Sequence, residues 1–280
     1  MSTISEAPSL TIARPRRPAH AQSLRTLASR RFALAARTPR ELLVPLLTPV
    51  LFALVIAPAL KTALHTSSGY EAFVAIGTVG LLVPLNTFFL GLGVIVDRES
   101  GAQRELLAAP VPRGLLVLGN LVVALAITAL QIGTLIAFAV ARRIHFDVHG
   151  SRVLWFVAAA ALLTVAMYGA AETLAARIPR QEEYIARIPA IAIAPWFLAG
   201  SLFPITAMPV GLTWIARFLP LTHALALMRY GLDGDASGLH AIWRMQDATD
   251  MAALSLLVLA LFALALTRVA IRVFTRSATS

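Results

Sequence analysis

The sequence predicts an all-α integral membrane protein with six transmembrane helices, and three observations carry that expectation. Six runs contain no charged residue, at 42–60, 72–96, 114–141, 153–171, 188–216 and 251–267, and together they make up about half of the 280 residues. A helix rises about 1.5 Å per residue, so roughly 20 apolar residues cross the hydrocarbon core of a bilayer. The mean hydropathy is +0.78 and only 14% of residues are charged, a balance that excludes a soluble enzyme. Basic residues also fall unevenly on alternate loops. With the N-terminus inside, 17 lie on the inner side and 7 on the outer. Cytoplasmic loops collect Lys and Arg, so both termini are expected in the cytoplasm, with the chain multi-pass in a bacterial cytoplasmic membrane. The +10 net charge then needs no nucleic-acid partner.

The first 40 residues carry Pro8, Pro15, Pro18 and eight arginines without an apolar stretch, so no signal peptide is expected there. Residues 1–22 read as a disordered cytoplasmic tail and 23–280 as one transmembrane domain. Over 23–37, Leu24, Leu27, Ala28, Phe32 and Ala35 share one helical face. Either this is an amphipathic helix whose arginines meet lipid phosphates or a partner, or it is a solvated basic tail. The first span, 42–60, holds Pro45, Pro49 and Pro58. The second, 72–96, holds Pro84, Asn86, Gly91 and Gly93, which predicts a kink or unwinding. The third, 114–141, has Thr128, Gln131 and Thr134 as its polar content, and the fourth, 153–171, ends near Glu172 beside Arg177. The fifth run exceeds one span and is punctuated by Pro189, Pro195, Pro204 and Pro209. It divides into a membrane helix at 188–202, a turn at 203–209, and short apolar segments at 210–216 and 218–228 that cannot span. Gly231, Gly234 and Gly238 lead to the last span, 251–267.

Enzyme chemistry finds no foothold. There is no cysteine, so thiolate metal sites and disulfides are excluded. Lys61 is the only lysine and no glycine precedes it at P-loop spacing, so ATP hydrolysis is expected in another polypeptide. The 23 arginines against one lysine suggest a coding bias of a GC-rich genome. His145-Phe146-Asp147-Val148-His149 lacks zincin spacing, and no catalytic, metal or cofactor residue is assigned. Polar residues within spans are costly in lipid and face inward. Asn86, Thr87, Gln131 and Glu172 qualify, either as interhelical bonds or as substrate contacts. With Phe88, Phe89, Trp196 and Phe197, Asn86 and Thr87 form the expected substrate path.

Two segments carry a family resemblance. The inner loop runs from Asp97 and Arg98 through Glu99, Ser100, Gly101, Arg104, Glu105, Leu106 and Leu107 to Pro110 and Pro112. By itself it is a short charged helix or a plain positive-inside connector. The outer segment holds Phe203-Pro204, Met208-Pro209, Trp214, then Leu219-Pro220-Leu221-Thr222-His223 and Met228-Arg229. Both resemble the membrane subunits of type-2 ATP-binding-cassette exporters, the drug, polysaccharide and lipid exporter permeases. Leu219 stands where that family usually has Asn, and Ala102 where it has Thr. The resemblance implies that Arg98, Glu99, Gly101, Arg104, Glu105, Leu106 and Pro110 form a coupling helix docking on a separate ATPase. Glu105 would pair with a basic residue there and Leu106 would fill an apolar pocket. Phe203, Pro204, Pro209, Pro220, Thr222 and Arg229 would form re-entrant outer helices capping the path. It further implies two permease copies or paralogues in contact with lipid, and ATP and Mg held by the partner, with none bound by this chain. The rival is a secondary transporter driven by an ion gradient, for which Glu172 is the clear carboxylate and no internal repeat is visible.

Overall fold

The computed structural model describes residues 20–37, 69–108 and 111–277, with isolated positions between 47 and 62. The expected tail up to residue 19, most of the first span at 42–60, and Pro110 lie outside the described residues. Within them, every regular element is helical: α1 His20–Arg37, α2 Tyr70–Glu99, α3 Ala102–Ala108, α4 Arg113–Ala141, α5 Val153–Arg177, α6 Gln181–Leu198, α7 Val210–Phe218, α8 Pro220–Asp233, α9 Ser237–Trp243 and α10 Ala248–Ser277.

Four of these helices, α2, α4, α5 and α10, are long and apolar enough to cross a membrane. The pair α7–α8, each too short alone, qualifies only jointly and is bent by 81°. Six spans are therefore not reached among the described residues. The expected fifth span, 188–202, is shifted. Helix α6 starts at Gln181, puts Glu182, Glu183 and Arg187 in its first two turns, and ends at Leu198. It ends there because Gly200 takes a left-handed φ of +79° and the Ser201 hydroxyl donates to the Trp196 carbonyl at 2.8 Å.

Of the kink or unwinding expected in the second span, unwinding does not occur. Helix α2 runs unbroken through Pro84. The Thr87 hydroxyl donates to the carbonyls of Val83 and Pro84, both at 2.9 Å. Packing by α4, α5, α6 and α8 holds the segment on several sides. The helix thus continues although Pro84 cannot donate to the Gly80 carbonyl, because neighbouring helices hold the segment.

Helix α5 is the central strut, packed on α10, α2 and α8. Two apolar clusters lie along it. One, with Leu82, Leu163, Leu225, Leu227 and Met228, surrounds α8. The other, with Ile95, Val117, Tyr168, Tyr184 and Phe274, lies at the end carrying α3. Lipid tails are as apolar as leucine, so membrane helices associate through close packing of small residues. Gly169 shows this. A Cβ there would meet the Leu266 carbonyl carbon at 2.8 Å and the Thr267 nitrogen at 2.9 Å, both backbone atoms of α10. Gly169→Val should therefore destabilise the protein by about 1–3 kcal/mol, whereas Gly133→Ala, with open space around it, should not. Thermal unfolding of the two variants in detergent checks this, and equal midpoints would refute it.

Candidate functional site

The end carrying α3 is assembled by arginines. The side chain of Arg98, at the foot of α2, donates to the carbonyls of Ala175 at 3.2 Å, Pro179 at 3.2 Å and Ile178. Those carbonyls belong to the last turn of α5 and the loop beyond it, where a helix leaves acceptors unpaired. Gly101, at φ +80°, lets the chain reverse after α2. Nothing crowds it, so it serves a tight turn into α3 and not a close backbone approach. Glu99, Arg104, Glu105 and Ala108 are exposed, while Leu106 and Leu107 are half-buried against the cluster of Ile95 and Val117. Of the expected coupling residues, Glu99, Arg104 and Glu105 thus face outward, Arg98 is a brace, and Leu106 packs against its own chain.

Helix α1 is clamped to the same end. The Asp97 carboxylate meets Arg31 at 3.5 Å and Arg30 at 3.6 Å, and Arg31 donates to the Leu90 carbonyl at 3.0 Å. A side chain at Gly93 would strike the Arg31 guanidinium. These two arginines, expected to meet lipid phosphates or a partner, are held within the chain. Beside them Glu172 is fully buried on α5, and the Tyr168 hydroxyl donates to its Oε2 at 2.7 Å. Tyr184 donates to the Phe88 carbonyl at 2.9 Å. The i, i+4 spacing of Tyr168 and Glu172 is a pairing signal the sequence carries, while nothing local in it points from Arg31 to Asp97.

The expected path residues divide. Asn86 donates from Nδ2 to Thr128 Oγ1 at 2.7 Å, Thr87 bonds its own helix, Phe88 lies in the α3-end cluster, and Trp196 donates to the Gly77 carbonyl at 2.8 Å. All four are buried between helices. Phe89 and Phe197 alone are exposed. The alternative of interhelical bonding is what the structure shows for Asn86.

At the opposite end, the outer motif forms the bent helix pair. Proline in first position fixes φ for a helix and forces the residue before it out of the α region. Pro209 precedes α7 and Pro220 opens α8, so Leu219 between them is extended, with φ −75° and ψ 128°. Phe203, Pro204 and Pro209 are exposed, and Thr222 and Arg229 are buried. Arg229 donates from Nη2 to the carbonyls of Gly200 at 2.9 Å, Ser201 at 3.2 Å and Phe73 at 3.4 Å, and its guanidinium sits 3.4 Å from the Phe73 ring centre. One side chain of α8 thereby joins α2 to the turn after α6.

A family model for ABC-2 type transporters matches residues 22–232, from α1 through α8. The chain belongs to this family. Comparison with curated proteins finds no match. An ABC-2 membrane domain is the transport subunit of an ABC-type transporter and not a catalytic one, and such domains in general work with a separate ATPase. The match covers both motif-bearing segments. Within this ABC-2 domain Arg98 and Arg104 have opposite duties, and stability separates them. Arg98→Ala should cost about 2 kcal/mol by stranding carbonyls bonded to a charged donor, and Arg104→Ala less than about 0.5 kcal/mol as an exposed change. Unfolding midpoints measure both, and an Arg98→Ala midpoint equal to that of the unaltered chain would disprove the brace.

Proposed function

We propose that this ABC-2 domain is the permease subunit of an ATP-driven exporter, moving an amphipathic drug-like, lipid or glycan substrate in partnership with a separate ATPase. The observation that carries the proposal is α3, which exposes Arg104 and Glu105, with Glu99 exposed just before it, from a root braced by Arg98. A helix that must transmit force needs an outward face to be gripped and an inward face that cannot slip, and α3 has both. In this reading the α3 end is cytoplasmic, the ATPase supplies ATP and Mg, and the α7–α8 pair forms re-entrant helices at the outer surface. Two permeases pair along α2 and α6, where Phe89 and Phe197 are exposed. ATP binding biases one of two conformations by its differential affinity.

One observation favours a second reading, coupling to an ion gradient: the Oε1 atom of the fully buried Glu172 has no hydrogen-bond partner. Export in proteoliposomes separates the two. ATP-dependent export that survives an ionophore supports the first, and export lost to the ionophore and to Glu172→Gln supports the second.

Two further outcomes are expected. Swapping Arg104→Glu together with Glu105→Arg should leave insertion and level unchanged while weakening ATPase association at least about tenfold, or 1.4 kcal/mol. Co-purification and transport at the unaltered rate would reduce α3 to a plain connector. Leu106→Asp is the weaker probe, because that side chain is half-buried in its own domain. Since the chain has no cysteine, Ser151→Cys should react with an impermeant maleimide outside intact cells and Ser100→Cys should not. The reverse pattern would invert the orientation.

A further inference from the structure

Beneath the bent helix pair lies a cavity of about 580 Å³ that the transport reading leaves without an occupant. Arg217, Arg229 and Arg244 line it, with His240, and none of its lining residues is acidic. Asp235 is the acidic residue whose charge acts on Arg229, and its Oδ1 accepts the Ser237 N–H at 2.8 Å. The balance of charge around the cavity is therefore positive. Two of its lining residues each carry a fully enclosed polar atom without a hydrogen-bond partner, Arg229 Nε and Thr222 Oγ1. Arg229 is only 5% exposed and Thr222 3%. The remaining walls include Phe73, Ile205 and Ala226, which suit the apolar part of an amphiphile. Beside the cavity, α7 leaves Val210, Trp214 and Phe218 more than half exposed, an apolar face of the kind that lies in a membrane interface.

We infer that this cavity binds a phosphate group, presented as the head of an anionic amphiphile. A guanidinium fork matches the planar pair of acceptors on a phosphate and binds it more strongly than a neutral acceptor. Arg229, held in place by three backbone carbonyls, supplies buried positive charge at the inner wall. Arg217, whose Nε is held by the Ala241 carbonyl at 3.1 Å, and Arg244 supply charge at the mouth. The phosphate has two sources, a lipid headgroup from the adjoining leaflet or the free anion, and the site as built favours the first. The inference is independent of the export proposal, because it is read from binding to the purified chain without an ATPase.

The experiment is titration of the full chain in neutral detergent with dihexanoyl phosphatidylglycerol, dihexanoyl phosphatidylcholine, and inorganic phosphate against chloride at equal ionic strength. Isothermal calorimetry and the shift in unfolding midpoint are the readouts. Phosphatidylglycerol should bind at least about tenfold more tightly than phosphatidylcholine. The double variant Arg217→Gln with Arg244→Gln should lower that affinity at least about tenfold. That double variant keeps the test decisive where Arg229→Gln fails to fold. Inorganic phosphate binding as tightly as phosphatidylglycerol would keep the phosphate site and assign it to the free anion. Equal binding of the two lipids, or unchanged phosphatidylglycerol affinity in the double variant, would overturn the inference.

Discussion

The hydrogen bond from a guanidinium to a backbone carbonyl holds this bundle together at its ends. A helix leaves its last four carbonyls without partners, and a membrane interior offers little water to satisfy them. Here Arg98 takes the end of α5, Arg113 takes the Thr275 carbonyl in the last turn of α10 at 3.1 Å, Arg217 takes the end of α9, and Arg229 takes the turn after α6. Arginine suits this work because its five N–H donors spread in a plane and it keeps its charge. Lysine has a point charge on a mobile stem and could not bridge three carbonyls of one turn as Arg98 does. The arginine excess, which reads as a coding bias in the sequence, is thus put to structural use at these four positions.

The consequence at the α3 end is mechanical. Arg98 joins the foot of α2 to the loop between α5 and α6, and Asp97, one residue earlier, holds α1 through Arg30 and Arg31. Three separate stretches of chain therefore meet at two consecutive residues immediately before α3. In the export proposal, a pull on the exposed face of α3 reaches α5 and α1 through these contacts without passing along the apolar cores. Leu106 and Leu107 add to the joint from the inner face of α3.

The sequence displayed the long helices because a charge-free run of bilayer length has few alternatives, and α2, α4, α5 and α10 contain the expected spans. The two motif segments fold as α3 and as the bent α7–α8 pair, the latter because prolines fix local backbone wherever the rest of the fold lies. It failed where tertiary packing decides. Pro84 signals a break only if the helix stands alone, and four neighbours override it. Trp196 looked like a path residue because an aromatic in a span is ambiguous until its partner, the Gly77 carbonyl across in α2, is known. Asp97, Arg30 and Arg31 were invisible as a set because they lie more than sixty residues apart. The start of α6 was missed because Glu182, Glu183 and Arg187 read as loop charges, yet helix continues through them.

Leu219 shows how the bent pair tolerates a departure from its family's pattern. It is the N-cap of α8 and makes no side-chain cap bond. Asn, usual there in the family, is among the best N-caps, because its side-chain oxygen accepts an early N–H of the helix. Leucine cannot do this, so the start of α8 relies on what remains. Pro220 in first position lacks the N–H that would otherwise need a partner, and the Leu219 carbonyl accepts from Thr222 N at 3.1 Å. Beyond the first turn, every residue from Leu221 to Leu232 is buried. A missing cap costs about 1 kcal/mol, whereas a single buried Leu side chain makes roughly 40–60 close contacts worth about 0.1–0.2 kcal/mol each. A helix with Leu225, Leu227 and Met228 in the core is therefore held by packing, and the motif's cap is the part it can lose.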